Sequence, residues 1–371
     1  MNLHQKKYEL ALSKIAGIGP VLSKQLISYC GSAETIFKLP KGKLLKVPNI
    51  GDKIASEIQK FQDWNAIEKE LLLLEKYSIQ LLSYTDDAYP FRLKQIPDAP
   101  TLLYYKGNAC LNAKKVIAIV GTRSATSYGK EIVKHLISEL SQISDIIVIS
   151  GLAYGIDIAA HKACLEYDLP TIGVLGSGLD VIYPPAHKPI ADEMLQKGGL
   201  LSELPLRTPP EASHFPVRNR IIAGMSDAII VVEAAKNGGA LITANLAFEY
   251  NREVFACPGS LLSTYSEGCH LLISSQKAHI FSGIKQFLEI MQWNTTHKTS
   301  KSTLKIELSN FSEEERQILI QLQSKDLHID ELSVRTQISI NRLASILLSL
   351  EMDGWIKALP GKKFALNQSR L

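Results

Sequence analysis

Two arginines and an asparagine follow a proline in the segment HFPVRNRIIAG, His214 to Gly224, directly before an apolar run. Arg218 and Arg220 cannot enter a hydrophobic core without a partner, because burying an unpaired charge is costly. A guanidinium presents a planar fork of donors that suits a phosphate group. We interpret the segment as a helix that begins at Pro216 and directs both arginines, together with its first free amides, at an anion.

A structural role for the arginines is the alternative interpretation. Arg218 would then pair with Glu203 or Glu233 inside the protein, and Phe215 would belong to the core. In the binding interpretation, the ring of Phe215 is instead available for a nucleic-acid base to stack on.

Four apolar runs of strand length end in polar, glycine-containing loops that could hold phosphate groups: GTRSATSYG, SGLAYGIDIAAH, GSGLDVIYP and KNGGALITA. Glycine lets a ligand approach the backbone, while hydroxyls and an arginine fork supply donors. None of the four matches a P-loop or a GxGxxG dinucleotide motif, and each alone could be a tight turn. The candidate phosphate ligands in these loops are Gly121, Thr122, Arg123, Ser124, Ser150, Gly151, Gly238 and Gly239.

The elements that must position these loops alternate between strand and helix patterns. The strand-length runs are residues 116–121, 146–150, 171–176, 228–234 and 253–259, with helical patterns between them. This alternation predicts a parallel sheet covered on both faces, an α/β domain of Rossmann-like type. Ligands gather at the carboxyl ends of the strands in such sheets, so the four loops are expected to meet at one edge.

The flanking segments predict two further domains. The first contains two glycine turns, each followed by an amphipathic helix, as in a helix-hairpin-helix (SAM-like) module; the last contains three helical patterns and a hairpin, as in a winged helix. The first could bind DNA phosphates or dock a protein, and the near-neutral charge of the last favours protein contacts. The predicted divisions are 1–82 (helical), 83–291 (Rossmann-like), 292–305 (a polar linker) and 306–371 (winged helix).

Composition narrows the class of protein. The 371 residues are 46% hydrophobic, carry a net charge of +4, and contain no apolar stretch long enough for a signal peptide or membrane span. Five scattered cysteines, without a CxxC pair or a His/Cys cluster, favour reduced thiols in a cytoplasm and no structural metal.

The middle of the chain resembles the DNA-processing protein A (DprA, also called Smf) family from Tyr89 to about Ser282. The matching segments, in order, are YPFRLKQIPDAPTLLYYKG, VGTRSATSYG, SGLAYGIDIAAH, VLGSGLDVIYP, LLSELP, FPVRNRIIAGMSDAIIVVEA, GALITANLA and FACPG. Near the end of this region, His270 and Lys277 stand where the family usually has asparagine and glycine, so the loop Gly268–Lys277 departs from the family pattern.

The resemblance implies a cytoplasmic, homodimeric protein that binds single-stranded DNA. It also implies that the protein protects incoming DNA and loads the RecA recombinase in natural transformation and recombination, with a single-strand-binding protein as a further candidate partner. No catalytic activity, cofactor, metal or membrane association is expected. The predicted phosphate ligands are the eight loop residues named above together with Thr243, Arg218, Asn219 and Arg220. Phe215 is the predicted base-stacking residue.

Two other functions compete with this one. A nucleotide phosphoribohydrolase of a related fold would need a catalytic glutamate where Asn245 stands, and an amide cannot transfer a proton in its place. Asp157 and His161 remain as candidates for the acid and base. The simpler explanation is that these two residues pair with each other to pack their helix. A transcriptional regulator that senses a nucleotide would need a basic recognition helix, and SINRLASILLSLEMDG has one arginine.

Overall fold

The computed structural model describes residues 3–293, 311–322, 327–359 and 362–366. The chain divides into two units, Met1–Lys298 and Thr299–Leu371. The predicted linker, residues 292–305, lies outside the described residues from position 294 onward. The four predicted domain divisions stay predictions.

The first unit begins with six helices. The two glycine turns that the sequence predicts precede the second and fifth of these helices, where Gly19 and Gly51 are the residues before the first turn. Leu26, Ile36, Leu44 and Ile58 form the buried centre of the bundle. The helices are α1 (Leu3–Ser13), α2 (Pro20–Cys30), α3 (Ala33–Lys38), α4 (Lys41–Leu44), α5 (Asp52–Lys60) and α6 (Trp64–Lys76).

A nine-stranded sheet follows, in the order β1-β2-β6-β5-β4-β3-β7-β8-β9. All neighbours from β6 to β9 are parallel, while β1 and β2 add an antiparallel hairpin at one edge. The predicted parallel α/β class is therefore confirmed. The strands are β1 (Gln80–Ser83), β2 (Leu102–Gly107), β3 (Lys115–Val120), β4 (Ile146–Ser150), β5 (Thr171–Val174), β6 (Gly199–Ser202), β7 (Ala228–Val231), β8 (Glu253–Ala256) and β9 (His279–Ile280).

Helices cover both faces of this sheet. Along β3, Val116, Ala118 and Val120 enter one core, and Ile117 and Ile119 enter the other, which is the pattern of a strand buried on both sides. Helices α11 and α12 pack into the first core, and α8 and α9 into the second. The helices of this part are α7 (Phe91–Lys94), α8 (Ser127–Leu140), α9 (Ile156–Glu166), α10 (Lys188–Met194), α11 (His214–Met225), α12 (Gly239–Glu249), α13 (Glu267–Ser274) and α14 (Ile284–Ile290).

The strand order reverses at β3. From β3 the chain passes to β4, β5 and β6 on one side, and then crosses back to β7 on the other side. Loops that leave β3 and the neighbouring strand in opposite directions open a crevice at the carboxyl edge of the sheet, which is where α/β proteins bind ligands.

Strand β1 straddles the predicted division between residues 82 and 83. It pairs with β2, so the last residues of the predicted helical domain are part of the sheet. Lys6 of α1 also donates hydrogen bonds to Ser83 (2.6 Å) and Asp86 (2.5 Å) beside β1. The helical segment and the sheet therefore share a strand and a largely buried ion pair.

The described residues of the second unit form three helices and a three-stranded sheet, which confirms the predicted winged-helix architecture. The predicted hairpin is present as β11 and β12, and a short additional strand, β10, pairs with β12. Leu319, Leu332, Leu343 and Leu347 fill its core. The elements are α15 (Glu313–Leu322), β10 (Leu327–His328), α16 (Ile329–Thr336), α17 (Ile340–Met352), β11 (Ile356–Leu359) and β12 (Lys363–Leu366).

Within the described part of the chain, no helix is long and apolar enough to cross a membrane. The same residues contain no cluster of histidine, cysteine and carboxylate side chains arranged to hold a metal ion. All five cysteines are free thiols.

Candidate functional site

A cavity of about 630 Å³ occupies the crevice at the carboxyl edge of the sheet, where the strand order reverses. We call it the switch-point cavity. Its size is within the range of small-molecule and nucleotide sites. Nine of the residues predicted from sequence line it: Gly121, Thr122, Arg123, Phe215, Arg218, Asn219, Gly238, Gly239 and Thr243.

The loop after β3 forms the cationic wall of the cavity. Its backbone is fixed, because the Thr122 amide donates to the Glu233 carbonyl (2.7 Å) and the Thr122 carbonyl accepts from the Ile156 amide (3.1 Å). Gly155, with φ of +78°, allows this contact, since a Cβ there would lie 2.1 Å from the Thr122 oxygen. Arg123 is exposed and has no carboxylate partner among the described residues. Its guanidinium is therefore available to an anion.

Helix α12 directs its N-terminus at the same cavity. The helix begins at Gly239 with Gly238 as its N-cap, and both line the cavity. The first amides of a helix have no acceptor within the helix, and the helix dipole adds partial positive charge there. Thr243, one turn further along, is 2% exposed and contributes to the floor of the cavity.

An aromatic wall faces these donors. The half-buried ring of Phe215 lies 5.7 Å from the Arg123 guanidinium carbon and 6.0 Å from that of Arg218. Tyr183, from the loop after β5, lines the cavity beside it. Sequence analysis did not single out Tyr183, although it lies in GSGLDVIYP, one of the four loops that were predicted to meet at this edge.

Asn219 contributes a directed donor. Its side-chain oxygen accepts from Arg218 Nε (3.2 Å), which fixes the orientation of the amide. Asn219 lines the cavity, and its side-chain nitrogen has no acceptor among the residues that the structure describes. The amide nitrogen is thus available to a ligand oxygen.

Arg218 lines the cavity, but its guanidinium is held by internal partners, whereas the sequence interpretation directed it at an anion. It is 5% exposed, and its Nη1 donates to the carbonyls of Gly151 (2.8 Å) and Val174, at the ends of β4 and β5. Burial, opposed by the nearby Asp157 carboxylate, lowers the pKa of Arg218 to about 10. The local sequence pattern does not reveal these two acceptors, which follow β4 and end β5 and hold the guanidinium inside the protein.

Arg220 is not directed at the cavity, as the sequence interpretation had predicted it to be. It is 9% exposed, does not line the cavity, and pairs with Glu203, with Asp98 at 3.8 Å. The alternative interpretation paired Arg218 with Glu203 or Glu233. The structure instead pairs Glu203 with Arg220. Glu233 instead accepts from the Thr126 amide (3.0 Å) and hydroxyl (2.6 Å).

The turn at Ser150 and Gly151 is closed to ligands, contrary to the prediction. Ser150 is fully buried and donates its hydroxyl to the Ile119 carbonyl (2.6 Å), while the Gly151 amide donates to Asp157 (3.1 Å). A Cβ on Gly151 would lie 2.6 Å from Arg218 Nη2, so glycine is needed here for close packing. Ser124 is exposed, but it lies outside the residues that line the cavity.

Asp157 and His161 are both buried on α9, but they do not pair with each other. Burial raises the pKa of Asp157, with Arg218 acting in the opposite direction. Thr171 donates its hydroxyl to the Val148 carbonyl (3.0 Å), so His161 Nδ1, at 2.7 Å, must donate to the Thr171 oxygen. Burial lowers the pKa of His161 to about 3, and the ring is therefore neutral near pH 7.

The two departures from the family pattern have internal partners. The Lys277 ammonium donates to the side-chain oxygen of Asn245 (2.8 Å), the residue that stands where the competing enzyme would have its glutamate. His270 Nε2 lies 3.1 Å from the Gly259 carbonyl oxygen and supports the loop after β8.

Two protein-family models match this chain, one over the region of the nine-stranded sheet and one over the winged-helix region. The model of the family "DNA recombination-mediator protein A" matches residues 80–292, and that of the "DprA winged helix domain" matches residues 304–362. Protein Smf of Synechocystis sp. is 32% identical and covers 97% of this chain and 98% of its own length. DNA processing protein DprA of Bacillus subtilis is 38% identical, with 76% of this chain and 96% of its own length covered.

Two solved structures are similar in sequence and fold. DNA processing protein A from Streptococcus pneumoniae superposes with a TM-score of 0.67 at 35% identity, covering 76% of this chain and 97% of its own. DNA processing protein A from Helicobacter pylori superposes with a TM-score of 0.52 at 29% identity, covering 58% of this chain and 95% of its own. The second structure concerns the single-stranded DNA binding mode of the Helicobacter pylori protein.

Proposed function

Because this chain belongs to the DNA recombination-mediator protein A family, we propose that it binds single-stranded DNA in the switch-point cavity. The observation that carries the proposal is that the exposed Arg123 guanidinium and the Phe215 ring, 5.7 Å apart, line the same open cavity. A strand of DNA offers one phosphate and one base per nucleotide, and non-specific single-strand sites combine cations for the first with aromatic rings for the second.

The available donors favour binding without sequence preference. Arg123, the Asn219 amide nitrogen and the first amides of α12 suit phosphate oxygens. Phosphate contacts position a strand but do not read its bases. Arg218 and Arg220, which have internal partners, support the cavity wall in this proposal and are not its direct phosphate ligands.

In the cell, this activity would serve recombination. The protein would protect incoming single strands in the cytoplasm and load RecA onto them during natural transformation, as a homodimer and with a single-strand-binding protein as a further partner. The family description as a recombination mediator and the relatives named DNA processing protein DprA support this assignment.

Comparing single-stranded and duplex DNA of equal length across a salt series tests the proposed binding. We expect tighter binding to single strands, with similar affinities for unrelated sequences, because the cavity offers donors for phosphates and rings for bases. Tighter binding to one duplex sequence would contradict the proposal and favour a transcriptional regulator. Helix α17 would be the helix that reads the duplex, and its one arginine, Arg342, donates a hydrogen bond to Glu314 (2.9 Å). This arrangement argues against recognition of a duplex sequence.

We expect no release of free base from nucleoside monophosphates. His161 is fully buried, and Asp157, which lines the cavity, accepts a hydrogen bond from the Gly151 amide. The position of the required glutamate holds Asn245, whose side-chain oxygen accepts a hydrogen bond from Lys277. Base release above the uncatalysed rate, abolished in His161→Gln or Asp157→Asn protein that is still folded, would restore the phosphoribohydrolase hypothesis.

A further inference from the structure

The loop that carries Tyr183 is held at the switch-point cavity by hydrogen bonds within the loop and to the sheet. Ser177 donates its hydroxyl to the Val181 carbonyl (2.6 Å), and the Val181 amide donates to the Gly178 carbonyl (2.9 Å). Ser202 at the end of β6 donates to the Ser177 carbonyl (2.7 Å) and so ties this loop to the sheet. An aromatic ring on such a loop loses little conformational freedom on binding.

The ring of Tyr183 has an open face. Its side chain is 43% exposed although it lines a cavity, and its hydroxyl has no hydrogen-bond partner among the described residues. An aromatic side chain that is neither packed into the core nor held by its hydroxyl offers its ring to a ligand. Phe215 differs in this respect, because one side of its ring lies against the backbone at Gly176, where an added Cβ would be 2.9 Å from Phe215 Cδ1.

Tyr183 and Phe215 are neighbours but do not form one flat surface. Their ring centroids are 5.8 Å apart, and the ring planes are inclined by 41°. A planar base that stacks on Phe215 cannot lie parallel to Tyr183 at the same time. The two rings therefore suit two bases, one on each.

From these contacts we infer that Tyr183 is a second stacking residue, which takes the base next to the one on Phe215. This inference rests on the proposed single-strand binding and adds to it a two-base subsite on the aromatic wall. Arg123, 5.7 Å from the Phe215 ring, would bind a phosphate beside the base on Phe215. Tyr183 would contribute to affinity through bases alone, without regard to their sequence.

The test measures binding of the full chain to an intact single strand and to an abasic strand with the same number of phosphates. The variants are Tyr183→Ala, Tyr183→Leu, which fills the space without a ring, and Tyr183→Phe. Tyr77→Ala is the matched control, because Tyr77 is also 43% exposed and does not line the cavity. Melting curves establish that each variant is folded.

We expect about tenfold weaker binding of the intact strand by the alanine and leucine variants, and wild-type affinity for the phenylalanine variant and for Tyr77→Ala. The salt dependence should not change, because every phosphate keeps its protein ligand. On the abasic strand all variants should bind like the wild type. A 2-aminopurine base at the occupied position should be quenched by the wild type and recover fluorescence with Tyr183→Leu.

Three results would overturn the inference, and they separate it from the proposed function. Equal losses of affinity on intact and abasic strands would make Tyr183 a structural residue. A wild type that binds both strands equally would remove base stacking while leaving phosphate binding in place. A wild type that binds neither strand would contradict the proposed function itself, and the inference with it.

Discussion

Replacing Arg218 with alanine is expected to lower the free energy of unfolding of the first unit by about 2–6 kcal/mol, since it takes the donor from two buried carbonyl groups, at about 1–3 kcal/mol for each. The guanidinium is 5% exposed, and it donates to the ends of two neighbouring strands through the Gly151 and Val174 carbonyls. Its removal leaves these acceptors without a donor. It also leaves the buried Asp157 carboxylate without the positive charge that opposes the rise in its pKa.

Urea denaturation of Arg218→Ala and wild type at several pH values measures this effect. The difference between the two proteins should shrink as the pH is lowered. Without Arg218 the pKa of Asp157 in the folded protein rises further above its unfolded value, and a carboxyl group with a raised folded pKa stabilises the fold once it is protonated. Wild-type stability combined with a flatter salt dependence of DNA binding would instead restore Arg218 as a direct phosphate ligand.

Replacing Arg123 with alanine is expected to have the opposite pattern, with a large loss of affinity and little change in stability. A charge-assisted hydrogen bond contributes about 1.5–3 kcal/mol, which corresponds to roughly 10- to 100-fold weaker binding of single-stranded DNA. The slope of log affinity against log salt should fall by about 0.7 for each phosphate that no longer has a cationic ligand. Because Arg123 is exposed, the free energy of unfolding should stay within about 0.5 kcal/mol of the wild type.

Lys114→Ala is the matched control for this measurement. Its side chain is 82% exposed and lies directly before β3, at the edge of the sheet opposite to the loop that carries Arg123. Lys114→Ala removes one positive charge from the protein, as Arg123→Ala does. A similar loss of DNA affinity in both variants would therefore show that overall charge, and not the cavity, determines binding. Unchanged affinity in Arg123→Ala would contradict the assignment of the cationic wall.

The sheet and the position of the site could be predicted from sequence because both depend on strong local patterns. Runs such as VIAIVG and IIVIS are apolar throughout, as in strands buried on both faces, and they correspond to β3 and β4. Parallel strands bring their following loops to one edge, so the loops at Gly121 and Gly238 meet across one cavity although they are distant in sequence.

The orientation of individual side chains could not be predicted in the same way. Helix α11 begins at His214 and not at Pro216, and the internal partners of Arg218 and Arg220 lie on strands and loops that are distant in sequence, which no local pattern reveals. Proline is accepted within the first turn as well as at its first position, because its missing amide is not needed there. The burial of Ser150 likewise depends on the neighbouring strand, since its hydroxyl acceptor is the carbonyl of Ile119 on β3.

Arg218 stabilises the ends of β4 and β5 and, at the same time, forms part of the cavity wall. The two walls of the site should therefore differ in how they tolerate substitution. A change at Arg123, which is exposed, should alter DNA affinity and leave the fold intact. A change at Arg218 should be limited first by folding, so the affinity of the site can be adjusted by mutation only from the wall that carries Arg123.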